Sequence, residues 1–222
     1  MSAILFGSIG TIADTSELQR QAFNQAFEAN GLNWYWNQEE YLKMLEQSGG
    51  QKRIAAYASS TGQTVDAAAI HRSKSEIFQK NLTESQVSPR SGVVETIQSA
   101  KSKGLKLALV TTTSQENIAL LIEALRPNIQ ATDFDVIVNA SSIEHPKPDK
   151  SAYVFALEKL GEKSDSCVAI EDNVDGVEAA TSAGLACVAF PGENTAHHDF
   201  VKAQLLVNRL NFDELQQLIL SE

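Results

Sequence analysis

The chain is poor in cysteine, proline and methionine, with two, five and two of them in 222 residues, and aromatic side chains make up only 7%. Cys167 and Cys187 each sit inside an apolar, strand-like run. Two such residues make no disulfide framework and no Cys/His metal spacing, so both are expected to be reduced core thiols of a cytoplasmic protein. No apolar run approaches the roughly 18 residues that a membrane span needs. The N-terminus has no basic segment ahead of a long apolar stretch, so no secretory signal is expected. Positive charge is also scarce: 18 Lys and Arg stand against 28 Asp and Glu, for a net charge of −10. That balance disfavours non-specific binding to nucleic acid or to an anionic membrane, without excluding a local basic pocket. There are no internal repeats and no low-complexity segments. The remaining composition, 43% hydrophobic and 21% charged, is that of a globular chain with a sizeable core.

Short apolar runs alternate with helical periodicity over most of the length, the pattern of a parallel sheet flanked by helices. Strands are predicted at Ala3–Phe6, Lys106–Thr111, Phe134–Asn139, Ser166–Ile170, Leu185–Phe190 and Gln204–Val207. Helices are predicted around Val93–Lys103, Gln115–Leu125, Ser151–Leu160, Val174–Ala183 and Asp213–Leu220, with Gly104, Gly161 and Gly184 placed as C-caps. The alternation breaks between Thr15 and Val87. Only helical patterns appear there: Glu17–Asn30, Gln38–Glu46, Gln51–Ser60 and Val65–Asn81. The fold class expected is therefore α/β, a Rossmann-like parallel-sheet core of residues 1–14 and 88–222 with an inserted four-helix cap of residues 15–87. Trp34 and Trp36 are expected in the core or on the surface of that insertion, with substrate stacking a lesser alternative.

In open parallel sheets ligands bind beyond the C-terminal strand ends, so the residues there matter most. The first strand runs into Gly7-Ser8-Ile9-Gly10-Thr11, and the second ends in Thr111-Thr112-Thr113-Ser114 at a helix start. His145-Pro146-Lys147-Pro148-Asp149 precedes the next helix, and Glu171-Asp172-Asn173 follows a later strand. Thr111 offers a hydroxyl, and the N–H groups after it lie where a helix favours anions. Lys147 is a cation on a proline-stiffened loop, suited to a phosphate oxygen. Glu171 and Asp172 are adjacent hard oxygen donors suited to Mg²⁺. Each feature alone has an ordinary structural reading as a cap, a solvated lysine or a turn. Together, at successive strand ends, they point to phosphate chemistry.

With these residues in view, the sequence resembles the haloacid dehalogenase superfamily, in the subgroup whose helical cap follows the first strand. β-Phosphoglucomutase and phosphoglycolate phosphatase belong to that subgroup. The resemblance covers essentially the whole chain through Phe6…Gly10-Thr11…Asp14, Thr111, Lys147 in "HPKPD" and "EDNVDGVEAATSAG" from Glu171 to Gly184. "ADTSELQRQAFNQAFEANGL" and "SGGQKRIAAY" look most like the Calvin-cycle sugar-bisphosphate phosphatases, which carry a "GGKERI" loop.

The resemblance implies a mechanism in which one aspartate after the first strand accepts the phosphoryl group and a second, two residues on, moves the proton. It also implies a Mg²⁺ ion bridging the first aspartate and the carboxylate of the fourth motif, with Thr111, Thr112 and Lys147 holding the phosphoryl group. Thr111, Lys147, Glu171 and Asp172 match this pattern. Gly7 and Ile9 occupy the two aspartate positions and can do neither job. Ser8 is a poor substitute, since strand alternation would point it away from the face shared by positions 7 and 9. Gln19 stands where the phosphatases have a histidine, and Gln51 where they have the loop lysine. Arg53 remains, either facing a second phosphate or as a cap-surface charge. The expectation is a cap-bearing member without its nucleophile, its Mg²⁺ site weakened. It would bind a phosphorylated sugar or serve a regulatory or partner-binding role, with no protein partner identifiable. The alternatives are a working Mg²⁺-dependent sugar-phosphate phosphatase using another group, or an interaction protein with relic motifs. The gain-of-function expectation is that Gly7→Asp with Ile9→Asp restores hydrolysis.

Overall fold

The computed structural model describes residues 1–7, 9–45 and 49–220. The orientation expected for Ser8 and the end of the Gln38–Glu46 helix fall outside these residues. In chain order the elements are β1 (Ala3–Phe6), α1 (Ile9–Ile12), α2 (Ser16–Ala29), α3 (Gln38–Met44), α4 (Gly50–Ser60), α5 (Ala67–Glu84) and α6 (Val93–Ser102). There follow β2 (Lys106–Val110), α7 (Gln115–Ala124), β3 (Val136–Val138), α8 (Ser151–Leu160), β4 (Cys167–Glu171), α9 (Val174–Ser182), β5 (Ala186–Ala189), β6 (Leu205–Leu206) and α10 (Phe212–Leu220). The chain divides into two compact units, Met1–Asp14 with Val87–Glu222, and Thr15–Gln86.

The first unit is a parallel six-stranded sheet in the order β3-β2-β1-β4-β5-β6 with helices packed on it, a doubly wound α/β fold. The "AILF" run becomes β1 because every one of its side chains is buried, as a central parallel strand flanked by β2 and β4 requires. One face of the sheet packs on α8 and α9 through Leu5, Ala108, Val110, Ala169, Cys187, Tyr153 and Val177. Both cysteines are free and buried. Burial raises the pKa of the Cys187 thiol, and the Glu171 carboxylate adds to the shift. Arg90 ties the segment after β1 to the end of β5. Its guanidinium donates to the carbonyls of Gly10 (2.9 Å), Phe190 (2.7 Å) and Pro191 (2.5 Å), and lies 3.5 Å from the Phe190 ring centroid.

Several boundaries differ from the sequence expectation. The Gly-Thr turn after β1 is instead a short helix, α1, closed by Ala13 N–H to Ile9 C=O at 2.9 Å. Strand alternation therefore does not govern positions 7 and 9: β1 ends at Phe6 and Ile9 begins a helix. β4 starts and ends one residue later than expected, because Glu171 pairs in register with Ala189 of β5. β3 and β6 are shorter than expected, as edge strands paired on one side tend to be.

The Thr15–Gln86 unit contains α2 to α5. Asn37 and Glu40 form a capping box on α3, and Asp66 caps α5 by accepting from Ala69 N–H. Its core is aromatic. Trp36 is fully buried, with ring centroids 4.6 Å from Phe27 and 4.9 Å from Phe23. Trp34 is buried beside them, its Nε1–H donating to Gln63 Oε1 at 2.7 Å. Both tryptophans are thus committed to this core.

Candidate functional site

Gly7 follows the last residue of β1, and its N–H donates to Ile170 C=O at 2.8 Å. Its carbonyl accepts from Lys147 Nζ, which also donates to Val110 C=O at 2.7 Å and to Glu171 Oε1 at 2.6 Å. The Lys147 side chain is only 7% exposed and that of Glu171 is 0% exposed. Tyr153 on α8 donates its hydroxyl to the same Oε1 at 2.6 Å, and its ring lies 4.8 Å from the Lys147 ammonium. Glu171 Oε2 is buried with no hydrogen-bond partner among the described residues. Burial raises the carboxyl pKa of Glu171, and the adjacent Lys147 ammonium opposes that rise. Tyr153 is held well above its ordinary value, first by burial and then by the Glu171 charge.

Gly7 and Gly176 border this buried ion pair closely. A Cβ at Gly7 would lie closer than 3.0 Å to the Glu171 carboxyl and to the Tyr153 hydroxyl, and a Cβ at Gly176 would meet the same carboxyl equally closely. The Glu171 carboxylate therefore fills the space that a side chain at position 7 would enter. Tyr153→Phe is expected to cost about 1.5–3 kcal/mol, the usual worth of a hydrogen bond to a charged group. Urea unfolding would show it as a lower midpoint at unchanged slope.

The other residues singled out from the sequence are placed as follows. Thr111 is buried after β2, and its hydroxyl oxygen accepts from Thr113 N–H at 3.2 Å. Ser114 caps α7, leaving Thr112 and Thr113 half-buried in the turn ahead of the helix. Asp172 is half-buried: its Oδ1 accepts from Asn173 Nδ2 at 2.8 Å and its carbonyl from the Thr195 hydroxyl at 2.7 Å. Glu171 is the last residue of β4 and Asp172 follows it outside the strand, close enough for its charge to add to the rise of the Glu171 pKa. Gln19 on α2 accepts from Lys74 Nζ, and Gln51 is exposed in the first turn of α4. Arg53 is half-buried. Its Nε donates to Met44 C=O at 2.9 Å and its guanidinium lies 5.6 Å from the Tyr41 ring centroid and 5.9 Å from that of Phe23.

Sequence reasoning missed Tyr153, Thr195, His71 and Lys74. A signal existed for Lys74, which interrupts the apolar stripe Ile70, Phe78, Leu82 at spacings of four. A lysine on the buried face of a helix needs an explanation.

Mg²⁺ is the cofactor implied for such a site, which offers Asp172 and the unpartnered Glu171 Oε2 but a reduced donor set. Position 7 supplies no carboxylate, and the Glu171 oxygen and Gly7 carbonyl that face the interior are engaged by the Lys147 ammonium. Among the described residues no group of three or more His, Cys, Asp or Glu side chains is arranged for a metal ion. Among the same residues, no helix is long and apolar enough to cross a membrane.

Residues 4–190 match the family model of the haloacid dehalogenase-like hydrolases. Protein CbbY of Cereibacter sphaeroides is 38% identical over 97% of this chain and 94% of its own length. The crystal structure of CbbY from Rhodobacter sphaeroides in complex with phosphate superposes with a TM-score of 0.86 at 37% identity, covering 94% of each chain. A mutant form of that protein, in complex with xylulose-(1,5)bisphosphate, gives the same figures.

Proposed function

Because the chain belongs to the haloacid dehalogenase-like hydrolase family, we propose that it is a member that binds a phosphorylated sugar without hydrolysing it, with residues 15–87 as its cap. Support comes first from position 7. A glycine there provides no nucleophile, and the Glu171 carboxylate with its Lys147 partner takes up the room a nucleophilic side chain needs. Ile9 cannot transfer a proton. Glu171 is no replacement nucleophile, being fully buried and bound to Lys147 and Tyr153. The anion end of the ligand rests instead on Thr111, Thr112 and the N–H groups of the turn before α7. Lys147 stabilises it only weakly, because its charge is largely neutralised by Glu171. The ligand class follows from the relative that binds xylulose-(1,5)bisphosphate, and a ketose bisphosphate is the compound to try first.

The test combines thermal shift and phosphate release with xylulose-(1,5)bisphosphate, with and without Mg²⁺. A saturating ligand at about 100 times its Kd adds about 2.7 kcal/mol to the folded state, enough to move the melting temperature by several degrees. The expected result is such a shift with no phosphate release above the blank. Mg²⁺-dependent turnover that Asp172→Ala abolishes would overturn the proposal and make the protein a phosphatase.

A further inference from the structure

The Lys147 ammonium is saturated from inside the sheet unit. It has three protons, and it meets three acceptors: the carbonyls of Gly7 and Val110 and the Oε1 of Glu171. The two carbonyls are backbone groups held by the sheet. Val110 precedes Thr111, so the ammonium stands one residue from the turn that receives the anion. The third acceptor carries charge, and among the described residues Glu171 is the carboxylate that pairs with Lys147. It is built into place. Glu171 is fully buried, lies in register with Ala189 of β5, and receives the Tyr153 hydroxyl on the same oxygen at 2.6 Å. Glycines at positions 7 and 176 leave the room that its carboxylate takes up. The Lys147 side chain keeps 7% exposure and that of Glu171 none, so the lysine borders solvent and the carboxylate backs it. Carboxylate and phosphate oxygens make the same charge-assisted bond to an ammonium and compete for it. In a low-dielectric interior a carboxylate at 2.6 Å cancels most of the lysine charge felt by an arriving anion.

We infer that Glu171 is an autoinhibitory contact, a tethered anion that holds Lys147 in place of the phosphoryl group of the ligand. The inference rests on the sugar-phosphate reading above and concerns the regulation of that same site. An arriving anion gains a proton of Lys147 only by displacing Glu171. That displacement is opposed, because Glu171 ends a strand paired on both sides and Tyr153 holds its carboxylate from behind. The parent chain therefore binds anions through Thr111, Thr112 and the turn before α7, with Lys147 closed to them. A glutamine at position 171 keeps the shape of the contact, since its amide oxygen still accepts from Lys147 and Tyr153. It removes the counter-charge, and the buried ammonium is then uncompensated. A phosphate dianion supplies what is missing. One charge-assisted bond gained in this way raises affinity by about tenfold to a hundredfold.

Inorganic phosphate is the probe, titrated calorimetrically into the full chain at neutral pH without divalent metal. Glu171→Gln should bind it about tenfold to a hundredfold more tightly than the parent, and phosphate should raise its melting temperature by more. Lys147→Met/Glu171→Gln has neither charge, and its affinity should return to that of the parent. A Glu171→Gln protein that binds phosphate no more tightly than the parent overturns the inference. So does a double variant that binds about tenfold more weakly than the parent, because Lys147 would then already serve the anion. If Glu171→Gln does not fold, the double variant decides by the same comparison, since it buries no charge at either position. Phosphate binding by none of the folded proteins would sink the inference as well. The two readings fail separately. Tighter phosphate binding in Glu171→Gln, with no effect of xylulose-(1,5)bisphosphate on either melting temperature, leaves the autoinhibitory contact and removes the sugar-phosphate reading. A shift of the parent by the sugar bisphosphate, with no gain in Glu171→Gln, does the reverse.

Discussion

Gly7→Asp, alone or with Ile9→Asp, is expected to unfold the sheet unit rather than to restore hydrolysis. The resemblance to the phosphatases suggests the contrary, since the substitution returns the carboxylates that the chemistry requires. The geometry opposes it. The new Cβ would sit closer than 3.0 Å to both the Glu171 carboxyl and the Tyr153 hydroxyl, neither of them the loose end of a surface side chain. Overpacking of this kind costs about 1–3 kcal/mol. The added carboxylate would also face Glu171 in a dry space where the Lys147 ammonium is already paired, and an uncompensated buried charge costs about 3–5 kcal/mol more. The sum, about 4–8 kcal/mol, is comparable to the whole stability of many domains. Thermal melts should show an aggregated or strongly destabilised protein. Glu171→Ala in the same background should recover part of the loss by opening the space. A stable Gly7→Asp/Ile9→Asp protein that hydrolyses a sugar phosphate with Mg²⁺ would refute this account.

Lys147→Met is expected to be the other severe substitution, at about 3–5 kcal/mol, because it leaves Glu171 buried without its cation. Its dependence on pH is distinctive. Burial already pushes the Glu171 carboxyl above its ordinary value, and Lys147 is the main group holding it down. Without the ammonium the folded-state pKa rises further above that of the unfolded chain. A group shifted upward contributes stability that is fully present below the unfolded pKa and is lost as pH rises through the folded one. Lys147→Met should therefore be more stable in mild acid than at neutral pH, a trend opposite to ordinary acid denaturation. Glu171→Gln in the same background should flatten the pH profile and recover much of the stability, since the amide needs no counter-charge. If Lys147→Met melts at the same temperature as the parent at neutral pH, the ion pair is not what closes this end of the sheet.

The buried apolar run Ala3–Phe6, the parallel strands and the helical insertion are all legible in residue order, because hydrophobic periodicity and capping are local properties. So is the identity of the residues gathered at the strand ends. Their roles are not. Whether Glu171 faces a ligand or the core depends on one residue of register between β4 and β5, and local pattern does not specify that register. Whether Lys147 meets a phosphate or a carboxylate depends on which side chain reaches it first, and Tyr153, 18 positions from Glu171, helps to decide that. Lys74 shows the same division. Its place on an apolar helix stripe is visible in the sequence, but its partnership with Gln19 is made 55 positions away along the chain. Composition and spacing thus carry this chain to a parallel α/β fold, and the residues at its strand ends to a phosphatase resemblance. Tertiary contact alone fills the space at Gly7 with a buried ion pair and sets Lys74 against Gln19. Charge pairing in a low-dielectric interior is set by distances of a few ångströms between residues remote in sequence, and periodicity does not encode those distances.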